Sequence, residues 1–167
     1  YPWERFQASE IMSRMPEDTV LILKNHPFVK KGYEIPLEYQ DRILDLSTGE
    51  NINDLLFITS VLITDYSSVI FEASLLELPI LFYTFDLQEY LDSRDIYFDF
   101  ASFAPGKIVE DQKTLENELR KALLGEVEEN GKVSMTKEQF HRLFLGALDG
   151  KSTERTMELV KQLMTTD

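Results

Sequence analysis

The residues with the clearest chemical potential lie in one short segment, Thr64–Ser68, which reads Thr-Asp-Tyr-Ser-Ser. An apolar strand is predicted to end at Thr64, and Ser67 and Ser68 open the helix predicted after it. Backbone N–H groups at a helix start are unpaired and the helix dipole is positive there, so this position can hold phosphate without lysine or arginine. We therefore predict that Thr64, Ser67 and Ser68 bind the phosphates of a nucleotide-type donor. On the local pattern alone, Ser67 capping the helix and Asp65 closing a turn is an equally good interpretation.

Glu72 follows Ser68 by one helical turn, in a helix that is otherwise apolar. A carboxylate at this position can reach a ligand bound at the helix start and accept hydrogen bonds from a ribose diol, as acidic residues do in other nucleotide sites. We therefore predict that Glu72 binds ribose. The alternative is a solvent-facing glutamate that favours the positive end of the helix dipole.

His26 and Arg94 are candidate partners of the same phosphates. His26 directly follows a predicted buried strand, where an imidazole could donate a hydrogen bond to a diphosphate or protonate a leaving phosphate. His26 is therefore the catalytic candidate, with a packing histidine in a turn as the alternative. Arg94 could hold phosphate through two parallel hydrogen bonds, or form a surface ion pair with a neighbouring aspartate. His141, inside a predicted helix, is interpreted as structural.

The segments that must position these side chains alternate between strands and helices. Apolar runs predict strands at 19–23, 42–46, 61–64 and 79–83, the first and third of them covered on both faces. Helical patterns follow at 3–15, 53–58, 69–77, 112–124, 135–147 and 152–164, with a long aromatic connection at 84–107 and a turn at 125–132. This order predicts an α/β fold with a doubly wound, mostly parallel, Rossmann-like sheet and a helical C-terminus. Ligands of such sheets bind beyond the carboxyl ends of the strands.

We expect one domain over residues 1–167, because no linker, repeat or low-complexity tract divides the chain. A doubly wound domain usually opens on a central strand, whereas this chain opens on a helix. The first strand is therefore expected upstream of residue 1. The chain also lacks an initiator methionine, and we expect it to be a piece of a longer protein.

Composition narrows the range of ligands and compartments. The formal net charge of −13 argues against nucleic acid and against adhesion to an anionic membrane surface. There is no cysteine, so a reducing compartment, the cytoplasm, is expected. No apolar run approaches the roughly 18 residues of a membrane span, so no transmembrane segment is predicted. No P-loop, GxGxxG, HExxH or CxxC motif occurs, so neither a metal nor a cofactor is expected, and no GxSxG motif supports a serine hydrolase.

Several of these stretches together resemble the CDP-glycerol glycerophosphotransferase family, the teichoic acid primases and polymerases of Gram-positive bacteria. The resemblance covers about residues 18–125. Its motifs are Leu-Ile-Leu-Lys-Asn-His-Pro at 21–27, Asn-Asp-Leu-Leu at 53–56, Val-Leu-Ile-Thr-Asp-Tyr-Ser-Ser-Val-Ile-Phe at 61–71 and Leu-Pro-Ile at 78–80, followed by Phe82-Tyr83, Phe85-Asp86, Tyr90, Arg94, Tyr97 and Pro105-Gly106.

The resemblance implies a GT-B-type enzyme of two Rossmann-like domains, of which this chain would be the C-terminal, donor-binding one. CDP-glycerol or CDP-ribitol would bind here, and polyol phosphate would pass to a hydroxyl of a lipid-linked chain with release of CMP. The acceptor would bind through an N-terminal domain outside this chain, and the parent enzyme would work at the inner face of the cell membrane, in cell-wall synthesis. Without that domain, the chain alone is expected to be inactive.

The resemblance also implies roles for single residues. His26 matches a donor-side histidine that contacts phosphate, Ser67 and Ser68 match phosphate-binding serines, and Glu72 takes the place of an acidic residue, usually aspartate, that binds ribose. Two other interpretations stay open: the donor domain of another nucleotide-sugar glycosyltransferase of the same fold, and a non-catalytic nucleotide-binding or interaction module.

Overall fold

The computed structural model describes residues 3–93, 99–126 and 135–165. Within these ranges the strands form two parallel sheets, one of order β1-β2 and one of order β3-β4-β5. The strands are β1 (Leu21–Leu23), β2 (Ile43–Asp45), β3 (Leu62–Thr64), β4 (Ile80–Tyr83) and β5 (Lys107–Val109). The parallel α/β class predicted from the alternation of strands and helices is confirmed.

Helices fill most of the connections between the strands. The α-helices of the described ranges are α1 (Ala8–Arg14), α2 (Ile52–Leu56), α3 (Val69–Leu75), α4 (Leu87–Ser93), α5 (Phe100–Phe103), α6 (Gln112–Leu123), α7 (Lys137–Phe144) and α8 (Ser152–Met164). Single 3₁₀ turns occur at Trp3–Arg5 and Leu37–Tyr39.

Strand β4 shows that helices cover both faces of the sheet. All four of its residues are buried, and their side chains alternate between two apolar clusters. Leu81 and Tyr83 pack with α1 and α6 on one face. Ile80 and Phe82 pack with α3, α5 and α7 on the other. This is the doubly wound arrangement, in which a strand covered on both faces is apolar throughout.

Local chemistry explains where several helices begin and end. The side chains of Asn51, Asp111 and Thr136 each accept a hydrogen bond from a backbone N–H of the first turn of α2, α6 and α7. Helix α3 ends two residues before the predicted Glu77, because Glu77 adopts a left-handed φ of 57° and Pro79 leads into β4 two residues later.

The prediction for the aromatic connection at 84–107 was wrong in part. It contains α4 and α5 and reaches the first residue of β5, which the sequence reading missed because a three-residue strand is too short to show a pattern. The helix predicted at 3–15 is also divided, into a 3₁₀ turn and α1. The turn predicted at 125–132 lies mostly outside the described residues.

The strands β1 and β3 are less covered than predicted. Of β1 only Leu23 is buried, the adjacent Val20 is 49% exposed, and every residue of β3 is half-buried. The apolar sequence of these strands was interpreted as a sign that both faces are covered.

Candidate functional site

The described site residues of the loops after β1 and β3 lie at the carboxyl edge of the sheets. The backbone of Arg5 accepts a hydrogen bond from the Tyr83 hydroxyl, at the end of β4, and Gln7 N donates to Gln112 Oε1 at 2.8 Å, beyond β5. Helix α1 therefore starts at the carboxyl edge of β4 and β5 and runs back, and β1 returns to that edge. His26, three residues after β1, lies at the same edge as Ser67, three residues after β3.

The serine turn joins β3 to α3. Thr64 is the last residue of β3, and Ser68 occupies the position before α3, where its exposed side chain makes no capping hydrogen bond. The half-buried Ser67 Oγ accepts only a long bond, 3.4 Å, from the backbone N–H of Val69. The hydroxyls of Ser67 and Ser68 therefore contribute little to capping α3, and both are available to bind a ligand.

Tyr66, in the middle of this turn, connects it to the loop after β4. Its hydroxyl donates a hydrogen bond to Asp86 Oδ1 at 2.9 Å, and its ring stacks on Tyr90 with centroids 3.8 Å apart. Burial, together with the hydrogen bond to Asp86 and the charge of that carboxylate, raises the pKa of Tyr66 far above its usual value. The phenol therefore stays protonated and keeps donating to Asp86 at physiological pH.

Asp65 precedes Tyr66, and its side chain is in contact with solvent. The protein around its carboxyl group removes part of its hydration and raises its pKa, and the nearby charge of Asp86 acts in the same direction. Backbone hydrogen bonds from residues 65 to 67 oppose this shift. The interpretation of Asp65 as a turn-closing residue agrees with these bonds, which hold the chain of the serine turn in place.

Glu72 lies in α3, one turn after Ser68, and its side chain is exposed. Residues four apart lie on the same side of a helix, so the Glu72 carboxylate and the Ser68 hydroxyl can meet one ligand. Thr64, Ser67, Ser68 and Glu72 thus belong to one strand–turn–helix unit.

His26 is exposed, and its ring is held by its own loop. The backbone N–H of Phe28 donates to His26 Nδ1 at 3.2 Å, and the two rings lie 4.7 Å apart. Because Nδ1 accepts this bond, the neutral imidazole carries its proton on Nε2. His26 can therefore present an N–H donor to a ligand in either charge state.

Lys24 and Asn25, which sequence reasoning did not single out, fix the loop that carries His26. Lys24 Nζ donates to the backbone carbonyls of Leu46 and Glu50, at 2.9 and 2.5 Å. Asn25 N donates to Ser47 Oγ at 3.0 Å. These bonds connect the loop after β1 to the loop after β2. The signal available in the sequence was the Lys-Asn-His order directly after an apolar strand.

A groove of about 680 Å³ lies at the same edge, between α1 and α6, but its lining does not suit a diphosphate. Among the described residues, five carboxylates contribute to it against three cationic side chains, and none of the predicted site residues that the structure describes does. Its lining acidic residues are Glu4, Glu10, Glu110, Asp111 and Glu116. Because like charges repel a phosphate, we assign no donor binding to this groove.

The remaining predictions concern Arg94, His141, metals and membranes. Arg94 lies outside the described residues. His141 lies in α7, and its Nε2 is buried without a hydrogen-bond partner in the described part of the chain. Among the described residues no cluster of acidic and histidine side chains could hold a metal ion. No described helix combines the length and apolar character needed to cross a membrane.

The fold and the position of the serine turn define the class of protein. It is a parallel α/β domain with polar residues at the carboxyl edge of its strands, where nucleotides bind in such folds. The chain belongs to the CDP-glycerol:poly(glycerophosphate) glycerophosphotransferase family, whose model matches residues 3–162.

Individual relatives agree with this assignment. The chain is 34% identical over 160 residues to the teichoic acid poly(ribitol-phosphate) polymerase of Bacillus spizizenii, and 38% identical over 151 residues to the teichoic acid ribitol-phosphate primase of the same organism. These matches cover 96% and 89% of this chain but 25% and 36% of the relatives. A solved structure of the wall teichoic acid polymerase TagF has the same fold, with a TM-score of 0.74 at 23% identity, over 95% of this chain and 38% of that one.

Proposed function

We propose that residues 1–167 form the donor-binding domain of a longer transferase that moves glycerol phosphate or ribitol phosphate from CDP-glycerol or CDP-ribitol to a hydroxyl of a lipid-linked teichoic acid chain. Family membership over residues 3–162 carries this proposal. The position of Ser67, Ser68, Glu72 and His26 at one sheet edge supports it. Because the chain spans 25% and 36% of its named relatives, the acceptor site is assigned to the remainder of that longer protein.

The reaction that this proposal describes is a displacement at phosphorus. The acceptor hydroxyl attacks the phosphorus that carries the polyol, the bond from that phosphorus to the CMP oxygen breaks, and CMP leaves with the bonding electrons. The acceptor proton passes to a base outside this chain. Such a transition state needs charge stabilisation and positioning more than covalent help from the protein.

Each candidate residue contributes either to binding of the CDP-polyol or to release of CMP. The hydroxyls of Ser67 and Ser68 donate to the diphosphate, together with Thr64 at the strand end and with Arg94. The His26 Nε2–H donates to the leaving phosphate, which spreads the charge that develops on CMP. The Glu72 carboxylate accepts from the ribose hydroxyls.

The enzyme is expected to act in the cytoplasm, at the inner face of the membrane that holds its lipid-linked acceptor. A net charge of −13 on this domain makes it an unsuitable membrane anchor by itself, so contact with the membrane is assigned to the rest of the protein.

Calorimetric titration of the longer protein with CDP-glycerol, CDP-ribitol, CMP, 2′-deoxy-CMP and UDP-sugars tests the proposal. Tight binding of one CDP-polyol, with weaker binding of 2′-deoxy-CMP than of CMP, is the expected result. A preference for UDP-sugars would instead identify another nucleotide-sugar transferase, and binding of none of these ligands would leave a non-catalytic module.

A further inference from the structure

The half-buried ammonium group of Lys24 is bonded to backbone carbonyls and forms no ion pair within the described residues. Its Nζ donates to the carbonyls of Leu46 at 2.9 Å, Ser47 at 3.4 Å and Glu50 at 2.5 Å. An ammonium group has three N–H donors, and these bonds use all of them. Lys24 therefore has no donor left for a phosphate.

A second connection to the same loop lies one residue further along the chain. The backbone N–H of Asn25 donates to Ser47 Oγ at 3.0 Å, and the N–H and hydroxyl of Ser47 both donate to Asp45 Oδ1. Asp45 is the last residue of β2, so this chain of bonds starts on the sheet. The two residues before His26 are thus both attached to the loop that follows β2.

The turn that carries His26 follows directly. The His26 carbonyl accepts from Val29 N at 2.9 Å, and its Nδ1 accepts from Phe28 N at 3.2 Å. Both bonds lie within the turn, so they orient the imidazole relative to the turn but not relative to the sheet. The bonds of Lys24 and Asn25 to the loop after β2 supply that second restraint.

We infer that Lys24 is a positioning residue, which holds the turn of His26 in place and does not contact the donor. Three carbonyls around one nitrogen suit an ammonium group, whereas the planar guanidinium of an arginine cannot reproduce the same bonds. The catalytic consequence rests on the proposed function, in which His26 Nε2–H donates to the leaving phosphate. Misplacing such a group by about 1 Å can lower a rate about 100-fold.

Steady-state kinetics of the longer enzyme with CDP-glycerol and CDP-ribitol separates positioning from donor binding. Lys24→Met removes the N–H donors, and Lys24→Arg keeps the charge. We expect both variants to lower kcat at least about 10-fold and to change the KM of the CDP-polyol less than about 3-fold, because His26 acts on the leaving group. Lys30→Met, at an exposed lysine of the same loop, is the matched control and should behave like wild type.

A double-mutant cycle shows whether Lys24 acts through His26. In a His26→Ala background, Lys24→Met is expected to change kcat less than about 2-fold, since the group that it positions is absent. Ser47→Ala removes the acceptor of the Asn25 N–H with little change in volume. It should lower kcat in the wild-type background only, and it provides the test if thermal melts show that the Lys24 variants do not fold.

Hydrogen exchange of the longer protein without ligand, followed by mass spectrometry, tests the restraint itself. The amides of residues 25–29 are expected to exchange at least about 10-fold faster in Lys24→Met than in wild type. The amides of the serine turn, residues 64–68, should exchange at the wild-type rate. Lys30→Met again serves as the control and should change neither segment.

Three outcomes would overturn the inference. Near-normal kinetics of Lys24→Arg, with a raised KM in Lys24→Met, would identify Lys24 as a ligand of the donor. An equal loss of kcat in the wild-type and His26→Ala backgrounds would show that Lys24 acts independently of His26. Unchanged exchange over residues 25–29 would show that Lys24 does not hold the turn. This last measurement needs no donor, so it decides the inference even if the longer protein transfers no polyol phosphate, a result that would overturn the proposed function.

Discussion

The hydroxyl of Tyr66 donates a hydrogen bond to Asp86 Oδ1 at 2.9 Å, and this bond joins the serine turn after β3 to the loop after β4. The two strands are hydrogen-bonded neighbours, so their carboxyl ends deliver both loops to one edge. The ring of Tyr66 is fixed further by Tyr90 and by Phe100 at 5.2 Å. Ser67 and Ser68 thus follow a residue whose position is set by packing and hydrogen bonding together.

Replacing Tyr66 with Phe removes this bond and keeps the stacked ring. We expect Tyr66→Phe to lower the free energy of unfolding by about 1–2 kcal/mol, because a half-buried carboxylate loses a donor. Asp86→Asn, which keeps an acceptor oxygen, should have a smaller effect. Urea denaturation of both variants measures the difference. An unchanged midpoint in Tyr66→Phe would contradict the bond's contribution.

Gly106 holds β5 close to β4. A Cβ at Gly106 would lie 2.3 Å from the Ile80 carbonyl oxygen and 2.9 Å from Ile80 Cβ, so backbone would have to move. We expect Gly106→Ala to destabilise the fold by at least about 2 kcal/mol. Gly32→Ala is the control, since its Cβ would meet only the movable Asp45 carboxylate, at 3.1 Å, and should change stability by less than about 0.5 kcal/mol. Similar thermal melts for both variants would refute the close approach.

Glu118 on α6 contacts Lys107 on β5 at 2.5 Å and Lys121 at 3.1 Å. Burial would raise the pKa of Glu118, but the hydrogen bonds and charges of both lysines outweigh it and lower the pKa below its usual value. A carboxyl group with a lowered folded-state pKa adds stability above its unfolded pKa of about 4.3, and this contribution is lost as the pH falls through the folded-state pKa.

The stability difference between wild type and Glu118→Gln is therefore expected to be about 1 kcal/mol at neutral pH and to disappear in acid. Glu158→Gln, on the exposed helix α8, is the control and should show little change at any pH. Denaturation curves recorded between pH 7 and pH 3 make the comparison. A difference that persists unchanged at pH 3 would rule out the charge of Glu118 as its source.

His26 carries the mechanistic prediction. In the longer enzyme His26→Ala should reduce kcat about 100-fold or more, because the leaving phosphate loses an N–H donor. His26→Gln should restore part of the rate if the role is hydrogen bonding, and little if a proton is transferred. Radiolabelled polyol-phosphate transfer is measured beside the melting temperature. Near-normal turnover with a lowered melting temperature would contradict a catalytic role and show that His26 only stabilises its loop.

The sequence predicted the parts of the fold that rest on repeated local signals. The apolar strand before Thr64 and the alternation with helices were sufficient to predict parallel strands with helices between them. The strand at Lys107–Val109 was missed because it is short and because its place is set by the approach of Gly106 to Ile80, which no local pattern shows. The bond from Tyr66 to Asp86 spans 20 residues, so it depends on strand order rather than on spacing.

The same distinction applies to the site. Ser67, Ser68 and Glu72 could be chosen together because one strand–turn–helix unit carries them. Lys24 could not, because its function is to bond carbonyls of a loop 22 to 26 residues away. The partial exposure of β1 could not be predicted either. An apolar run shows that a strand is suited to burial, but it does not show whether other elements pack against it.

The central claim is that the hydroxyls of Ser67 and Ser68 bind the diphosphate of a CDP-polyol. Calorimetric titration of the longer protein with CDP-glycerol and CDP-ribitol tests it most directly, for wild type, for Ser67→Ala combined with Ser68→Ala, and for the control Ser102→Ala on α5. Loss of two hydroxyl bonds to a charged group should cost about 2–4 kcal/mol, a rise in Kd of about 30- to 700-fold. The control should bind like wild type. A folded double variant with unchanged donor affinity would contradict the account.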